Sequence, residues 1–236
     1  MADKLLIPCL YLQSGKAVTG FGQRNLFGEG NIEDLVRFYR DNGADELLVF
    51  DFSSGDKEHD QAIANIKQIC AIAEIPVMVA GNINRMEDVK KLLYAGCAKV
   101  VLNFSKESNI LLLEEVSKRF GKEKMVISIS SMEEFADNQK LIEKYADEIL
   151  ALDTIQATSS DMKVILHTEE SKTDALKDLL KKESVHALSG AYISSLEVKL
   201  INFKEDCKAS GIPVITFESA ISWSDFKLNN DGLIPV

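Results

Sequence analysis

Two aspartates occupy matching places in a repeated octapeptide: residues 44–51 read ADELLVFD and residues 146–153 read ADEILALD, at an offset of 102. Each closes a strongly apolar run, which places Asp51 and Asp153 at the ends of two related strands. Two carboxylates gathered at strand ends can serve as general acid and base when burial or a neighbour raises one pKa. They can equally hold a ribose or a ring substituent, or each can cap the turn after its strand. The sequence leaves these readings open.

The other reactive residues are less well arranged. His59, His167 and His186 show no metal-ligand spacing, so no metal and no cofactor are expected. Ser128-Ile129-Ser130-Ser131 has no histidine in the setting of a nucleophile turn. Gly20-Phe21-Gly22 does not open a helix after a strand, as a dinucleotide turn must, and is assigned to a first loop. Cys9, Cys70, Cys97 and Cys207 form no CxxC pair and fall in apolar or helical contexts. Buried free thiols in a reducing cytoplasm are expected. Glu114-Glu115 and Glu133-Glu134 read as solvated helix faces.

The elements that must position these residues alternate. Strand-like runs are Leu5–Leu12, Glu46–Phe52, Pro76–Ala80, Lys99–Asn103, Met125–Ser130, Glu148–Leu152, Met162–His167 and Val185–Leu188. Several are apolar almost without interruption, as in a sheet buried on both faces. Helical periodicity runs through Ile32–Asp41, Asp60–Glu74, Met86–Ala95, Ile110–Phe120, Asn138–Tyr145, Thr173–Lys182 and Leu196–Ser210. Eight such strands with short links predict an α/β fold, a (β/α)8 TIM barrel, with a doubly wound open sheet as the competitor.

The repeat favours the barrel. Met86–Leu93 (MEDVKKLL) matches Thr173–Leu180 (TDALKDLL) at an offset of 87, so two halves of four βα units are implied. The offset shrinks between the two matches because the sixth strand is followed only by Thr154–Asp161, where the second is followed by a helix. One outer helix is therefore expected to be missing between strands six and seven, and a partner, loop or neighbouring domain should cover the gap.

Composition narrows the function classes. Apolar residues make up 46% of 236, enough for a large core. A net charge of −10 without a basic cluster argues against nucleic acid, and the apolar runs are too short to span a membrane. The N-terminal MADKLLIPCLYL lacks the length and cleavage region of a signal peptide.

The segments IPCLYLQSGKAVTG, FYRDNGADELLVFDFSSG, IPVMVAGNI, LLYAGCAKVVLNF and FGKEKMVISIS, with ADEILALD and DALKDLLKK, resemble the histidine-biosynthesis barrels over residues 4–214. These are the cyclase subunit of imidazole glycerol phosphate synthase and its sister ribonucleotide isomerase, the cyclase being the nearer likeness. The resemblance implies an acid/base aspartate at the positions of Tyr11 and Ser130 and a lysine at Thr19. None is present, and neither a serine hydroxyl nor an unperturbed phenol exchanges protons near neutrality unaided. The resemblance also implies two phosphate sites. Gly81, Asn82 and Asn103 would keep part of the first. Ser189 and Gly190 belong to the second, which Glu169 and Glu170 are expected to disable by repulsion. An active cyclase would need an ammonia-supplying glutaminase partner, and nothing in the sequence identifies one.

After Val214 the barrel pattern gives way to a tail, residues 215–236, in which Trp223 could staple the tail to the barrel and Asn230-Asp231-Gly232 reads as a turn. FKLNNDGLIPV resembles the start of phosphoribosyl-AMP cyclohydrolase. The chain is thus expected to be a degenerate, non-catalytic barrel, residues 1–214, at the N-terminus of a cyclohydrolase fusion, with or without a phosphoribosyl-ATP pyrophosphohydrolase. Its role would be structural, homo-oligomeric, or weak binding of a phosphoribosyl nucleotide. The alternative is an active cyclase or isomerase using Asp51 and Asp153.

Overall fold

Nine strands share one sheet in the computed structural model, which describes residues 3–22, 24–27, 30–152, 161–190, 199–216, 226–229 and 232–235. Strand β1 (Leu5–Gln13) turns back through Ser14-Gly15 into β2 (Lys16–Val18), pairing antiparallel with Gln13 opposite Lys16. Both turn residues have positive φ, 47° and 75°, the geometry that matches the twist of a two-residue hairpin. The sequence reading had no β2, because three residues are too few to show a period.

The remaining strands are β3 (Leu47–Asp51), β4 (Val77–Ala80), β5 (Lys99–Asn103), β6 (Met125–Ile129), β7 (Glu148–Ala151), β8 (Lys163–His167) and β9 (Ala187–Gly190). Each runs parallel to the next, and β9 returns to β1 with Leu5 opposite Ala187. Eight parallel strands thus close into a barrel, and the open-sheet alternative is excluded. Seven α-helices lie among the described residues: α1 (Ile32–Asp41), α2 (Gly55–Ala73), α3 (Met86–Tyr94), α4 (Glu107–Phe120), α5 (Met132–Tyr145), α6 (Thr173–Leu180) and α7 (Leu200–Ala209). No described helix is long and apolar enough to cross a membrane.

Three helices start earlier than periodicity indicates, at Gly55 instead of Asp60, at Glu107 instead of Ile110 and at Met132 instead of Asn138. The first turns of α2 and α4 are mainly polar, whereas that of α5 holds Met132 against the core and buries Phe135. At α5 the Ser131 hydroxyl accepts the Glu134 N–H. The segment expected to lack a helix, Thr154–Asp161, lies outside the described residues except for Asp161, and Asp153 and Trp223 lie outside them too. Farther on, β10 (Phe226–Asn229) and β11 (Gly232–Pro235) pair antiparallel with Asn229 opposite Gly232, around the predicted turn, of which residues 230–231 also lie outside the description.

Inward and outward side chains alternate along the strands. Ile7, Cys9, Tyr11, Leu48, Phe50 and Met78 fill the bore, whereas Leu6, Leu10, Leu47 and Val49 pack outward in the layer shared with the helices. The repeat is visible here. Its octapeptides form β3 and β7, its second match forms α3 and α6, and each pair is four βα units apart. Glu46 and Glu148, equivalent under the repeat, converge on Lys99 at the N-terminal end of the bore. The Lys99 Nζ lies 3.2 Å from Glu46 Oε1 and 2.9 Å from Glu148 Oε2. Burial opposes the ammonium charge, but the two carboxylates outweigh it and hold the Lys99 pKa above the ordinary lysine value.

Removing the shared cation would leave two largely buried carboxylates facing each other. Lys99→Met is expected to destabilise the fold by about 3 kcal/mol in urea denaturation. Lys118→Met, which breaks an exposed pair with Glu114 on α4, is expected to leave the urea midpoint almost unchanged.

Candidate functional site

Tyr11 occupies the position where the resemblance implies an acid/base aspartate, and it seals its half of the C-terminal mouth. Its side chain points inward from β1 and is 2% exposed. Its ring stacks on Phe50 at 5.6 Å and on Phe52 at 5.8 Å, with Phe21 edge-on at 5.5 Å. The Arg24 guanidinium sits 4.4 Å over the Phe52 ring. The signal for this cluster was the alternation Phe50–Asp51–Phe52, which sends both rings inward from one strand end.

Beneath the rings lies a buried polar chain. The Tyr11 hydroxyl is 3.2 Å from His167 Nε2, His167 Nδ1 is 3.6 Å from Cys9 Sγ, and Cys9 Sγ is 3.0 Å from Ser189 Oγ. Burial pushes the Tyr11 phenol above its ordinary pKa, pushes the Cys9 thiol up to about 12, and pulls His167 down. All three groups are therefore uncharged at neutral pH. The chain ends on a carboxylate: the Tyr11 O–H donates to Glu169 Oε1 at 3.5 Å, and the same oxygen lies 3.6 Å from His167 Nε2. The uncharged Tyr11, His167 and Cys9 thus connect the buried interior to one exposed acid, Glu169. Ser189, at the second phosphate position that the resemblance implies, is fully buried below Tyr11.

Ser130 does stand at the mouth and is exposed. Its N–H and its hydroxyl both donate to Glu134 Oε2, at 2.7 and 2.9 Å. Glu134 is thus a cap of the β6–α5 turn and not merely a solvated helix face. The same device recurs around the mouth. Glu58 accepts the Ser54 N–H, Asp88 accepts the N–H groups of Asn84 and Arg85, and Glu170 accepts those of Ser171 and Lys172. The spacing Ser54…Glu58 and Ser130…Glu134 was its trace in the sequence. Thr19 lies in the loop beyond β2, where its N–H donates to the Asn25 carbonyl.

Asp51 is not aimed into the mouth. It shares the outward face of β3 with Leu47 and Val49, which corrects the expected orientation. There its Oδ2 is 2.7 Å from His59 Nδ1 on α2, and its Oδ1 accepts the Ser53 N–H at 2.8 Å. His59 Nε2 is buried without a hydrogen-bond partner, 3.8 Å from Asp88 Oδ1. The hydrogen bond to Asp51 raises the His59 pKa, and the ring joins β3, α2 and the start of α3.

The other half of the mouth stays open. A cavity of about 160 Å³ is lined by Gly81, Asn82, Asn103, Lys106, Asn109 and Ser128, with Phe21 and Phe52 at one side. Gly81 has φ +92°, and a Cβ there would stand 2.2 Å from the Asp51 carbonyl oxygen, so no other residue fits. The Asn82 amide donates to the Ser53 carbonyl at 2.7 Å, fixing the loop against its neighbour. Asn109, buried, donates to the Asn103 carbonyl and leaves its own Oδ1 without a partner. Lys106 and Asn109 were not singled out by the sequence, because loop and helix polarity alone does not distinguish cavity lining from solvent exposure.

Eight parallel strands with polar groups collected at their C-terminal ends define a (β/α)8 barrel with its ligand-facing side at that mouth. Within that class the chain belongs to the histidine biosynthesis protein family, whose pattern matches residues 5–182. Among its relatives are imidazole glycerol phosphate synthase subunits HisF. That of Azobacteroides pseudotrichonymphae is 38% identical over 141 residues, covering 60% of this chain and 56% of the relative. Those of Stenotrophomonas maltophilia R551-3 and Staphylococcus aureus Newman are 32% and 36% identical, over 63% and 56% of this chain and 57% and 52% of theirs. The matched region thus spans little more than half the length of these relatives.

The His59 arrangement has a pH signature. A folded-state pKa above the unfolded value gives stability that is full below the ordinary histidine pKa and is lost as pH rises through the folded one. The stability difference between wild type and His59→Gln, read from urea midpoints, is expected to be larger at about pH 5.5 than at about pH 9. Gly81→Ala is expected to cost more than about 3 kcal/mol in the same measurement.

Proposed function

We propose that this chain is a histidine-biosynthesis barrel that no longer catalyses. It serves as the N-terminal domain of a phosphoribosyl-AMP cyclohydrolase polypeptide, with or without a pyrophosphohydrolase, and keeps weak affinity for a phosphoribosyl nucleotide. The observation that carries this reading is Tyr11: the position where the resemblance implies an acid/base aspartate holds a buried phenol, stacked under aromatic rings and hydrogen-bonded to His167 and Glu169. Ser130, at the second such position, is tied to Glu134. The alternative built on Asp51 and Asp153 loses support, because Asp51 faces away from the mouth and is held by His59 and Ser53.

Residual binding belongs to the open half. Lys106 offers a cation, the loop at Gly81 and Asn82 offers a close backbone approach, and the unpartnered Asn109 oxygen suits a ligand hydroxyl. The second phosphate position binds nothing, since Ser189 is buried and Glu170 fills the amide donors before α6. The cyclohydrolase fusion rests on the resemblance of FKLNNDGLIPV, and packing against that domain or a second copy is the structural role.

The purified chain, supplied with ammonia and the relatives' ribonucleotide substrate, is expected to show no cyclisation. Calorimetry with a phosphoribosyl nucleotide is expected to give weak saturable heat, which Lys106→Ala reduces roughly five- to tenfold, the loss of one charged contact. Turnover would overturn the non-catalytic reading, and absence of heat would overturn the binding role. The intact mass of the protein from its own cells tests the fusion: a mass near 26.2 kDa would refute it.

A further inference from the structure

Two thiols face each other at the opposite end of the molecule from the mouth. Cys70 lies in the last turns of α2, and Cys97 lies in the turn between α3 and β5. Their sulfurs are 3.8 Å apart. The approach is made by the glycine beside them: Gly96 has φ +107°, and a Cβ at that position would stand 3.2 Å from Cys70 Cβ. The two segments therefore meet closely just where each carries a sulfur. A disulfide needs sulfurs at about 2.05 Å, a closure of roughly 1.8 Å. Rotation about the Cys70 side chain with a small shift of the 95–97 turn could supply it.

We propose that Cys70 and Cys97 form a peroxide-oxidisable dithiol, an oxidation site that closes reversibly into a disulfide joining α2 to the α3–β5 turn. The chemistry balances with one hydroperoxide. The Cys70 thiolate attacks one peroxide oxygen, the O–O bond breaks, and a sulfenic acid forms as the first water leaves. Cys97 sulfur then attacks the Cys70 sulfur and expels hydroxide, which takes the Cys97 proton and leaves as the second water. Two sulfurs give up two electrons, and one hydrogen peroxide becomes two waters.

The division of labour follows from position. Cys70 is half-buried and reachable, whereas Cys97 is 5% exposed. The two sulfurs share one S–H···S contact in which either thiol can donate, and the more accessible Cys70 is the one whose thiol this contact lowers below the usual cysteine pKa. Cys70 is thus the attacking sulfur and Cys97 the resolving one. Cys9 and Cys207 are buried, their thiols pushed up to about 12 and about 11 by desolvation, so they serve as internal controls. A bond closed from 3.8 Å within a packed layer is strained, and strained disulfides are the easily reduced ones.

The test treats the fully reduced chain with stoichiometric hydrogen peroxide, alkylates it after denaturation, and maps its peptides by mass. The expected product is a Cys70–Cys97 linked peptide, 2 Da lighter than the two thiol peptides, which dithiothreitol reverses, with Cys9 and Cys207 still alkylated. In C97S, Cys70 is expected to stop at a sulfenic acid that dimedone traps. In C70S, loss of the remaining thiols is expected to slow at least tenfold. The wild-type map stands even where a variant fails to fold. The proposal is overturned if Cys70 goes to sulfinic acid without a link, if both thiols stay free, or if links to Cys9 or Cys207 form equally.

Discussion

An eight-stranded barrel closed on itself has a bore just wide enough for its own side chains, and every level must be filled. The closure of β9 onto β1 imposes this on the whole molecule. At the lower end Lys99 fills it with two glutamates, and in the middle aliphatic residues do so. At the upper end a ligand-binding barrel would keep room and charge. This one places Tyr11, Phe50 and His167 there and continues the core to the rim. The Tyr11 ring thus extends the hydrophobic interior toward the mouth.

The two ends of the barrel have diverged differently. At the bottom the internal symmetry persists in Glu46 and Glu148, which still share one cation. At the top, Asp51 is held by His59. In barrels of this kind the N-terminal end serves stability and the C-terminal end serves function. The arrangement seen here keeps the former and closes half of the latter.

Much of the fold was legible because buried parallel strands are nearly continuous apolar runs, and all eight were found within two residues of their ends. That same property hid the direction of Asp51. When both faces of a strand are apolar, periodicity cannot tell bore from helix layer, so Leu47, Val49 and Asp51 read no differently from Leu48 and Phe50. His59 was passed over because its partners, Asp51 and Asp88, meet only after β3, α2 and α3 have packed. The early start of α2 is hidden by a polar first turn, whereas that of α5 carries Met132 and the buried Phe135, too short an apolar stretch to show a period. Tyr11 and Ser130 could be placed by likeness alone, but whether they left an open or a closed mouth depended on Phe21, Phe50 and Glu134.

The carboxylates that cap the mouth loops have a further meaning as tethered competitors. A phosphate ester arriving at the Ser171–Lys172 amides must displace Glu170, whose oxygen is held there at an effective concentration of millimolar or more by a very short covalent link. The Lys172 and Ser171 N–H groups keep that carboxylate below its ordinary pKa, so mild acid does not clear it. Glu58 holds its own turn in the same way, through Ser54. Cellular anions at submillimolar levels would thus meet occupied loops on these sides, and the gap between Gly81 and Lys106 would decide which ligand enters and in what orientation.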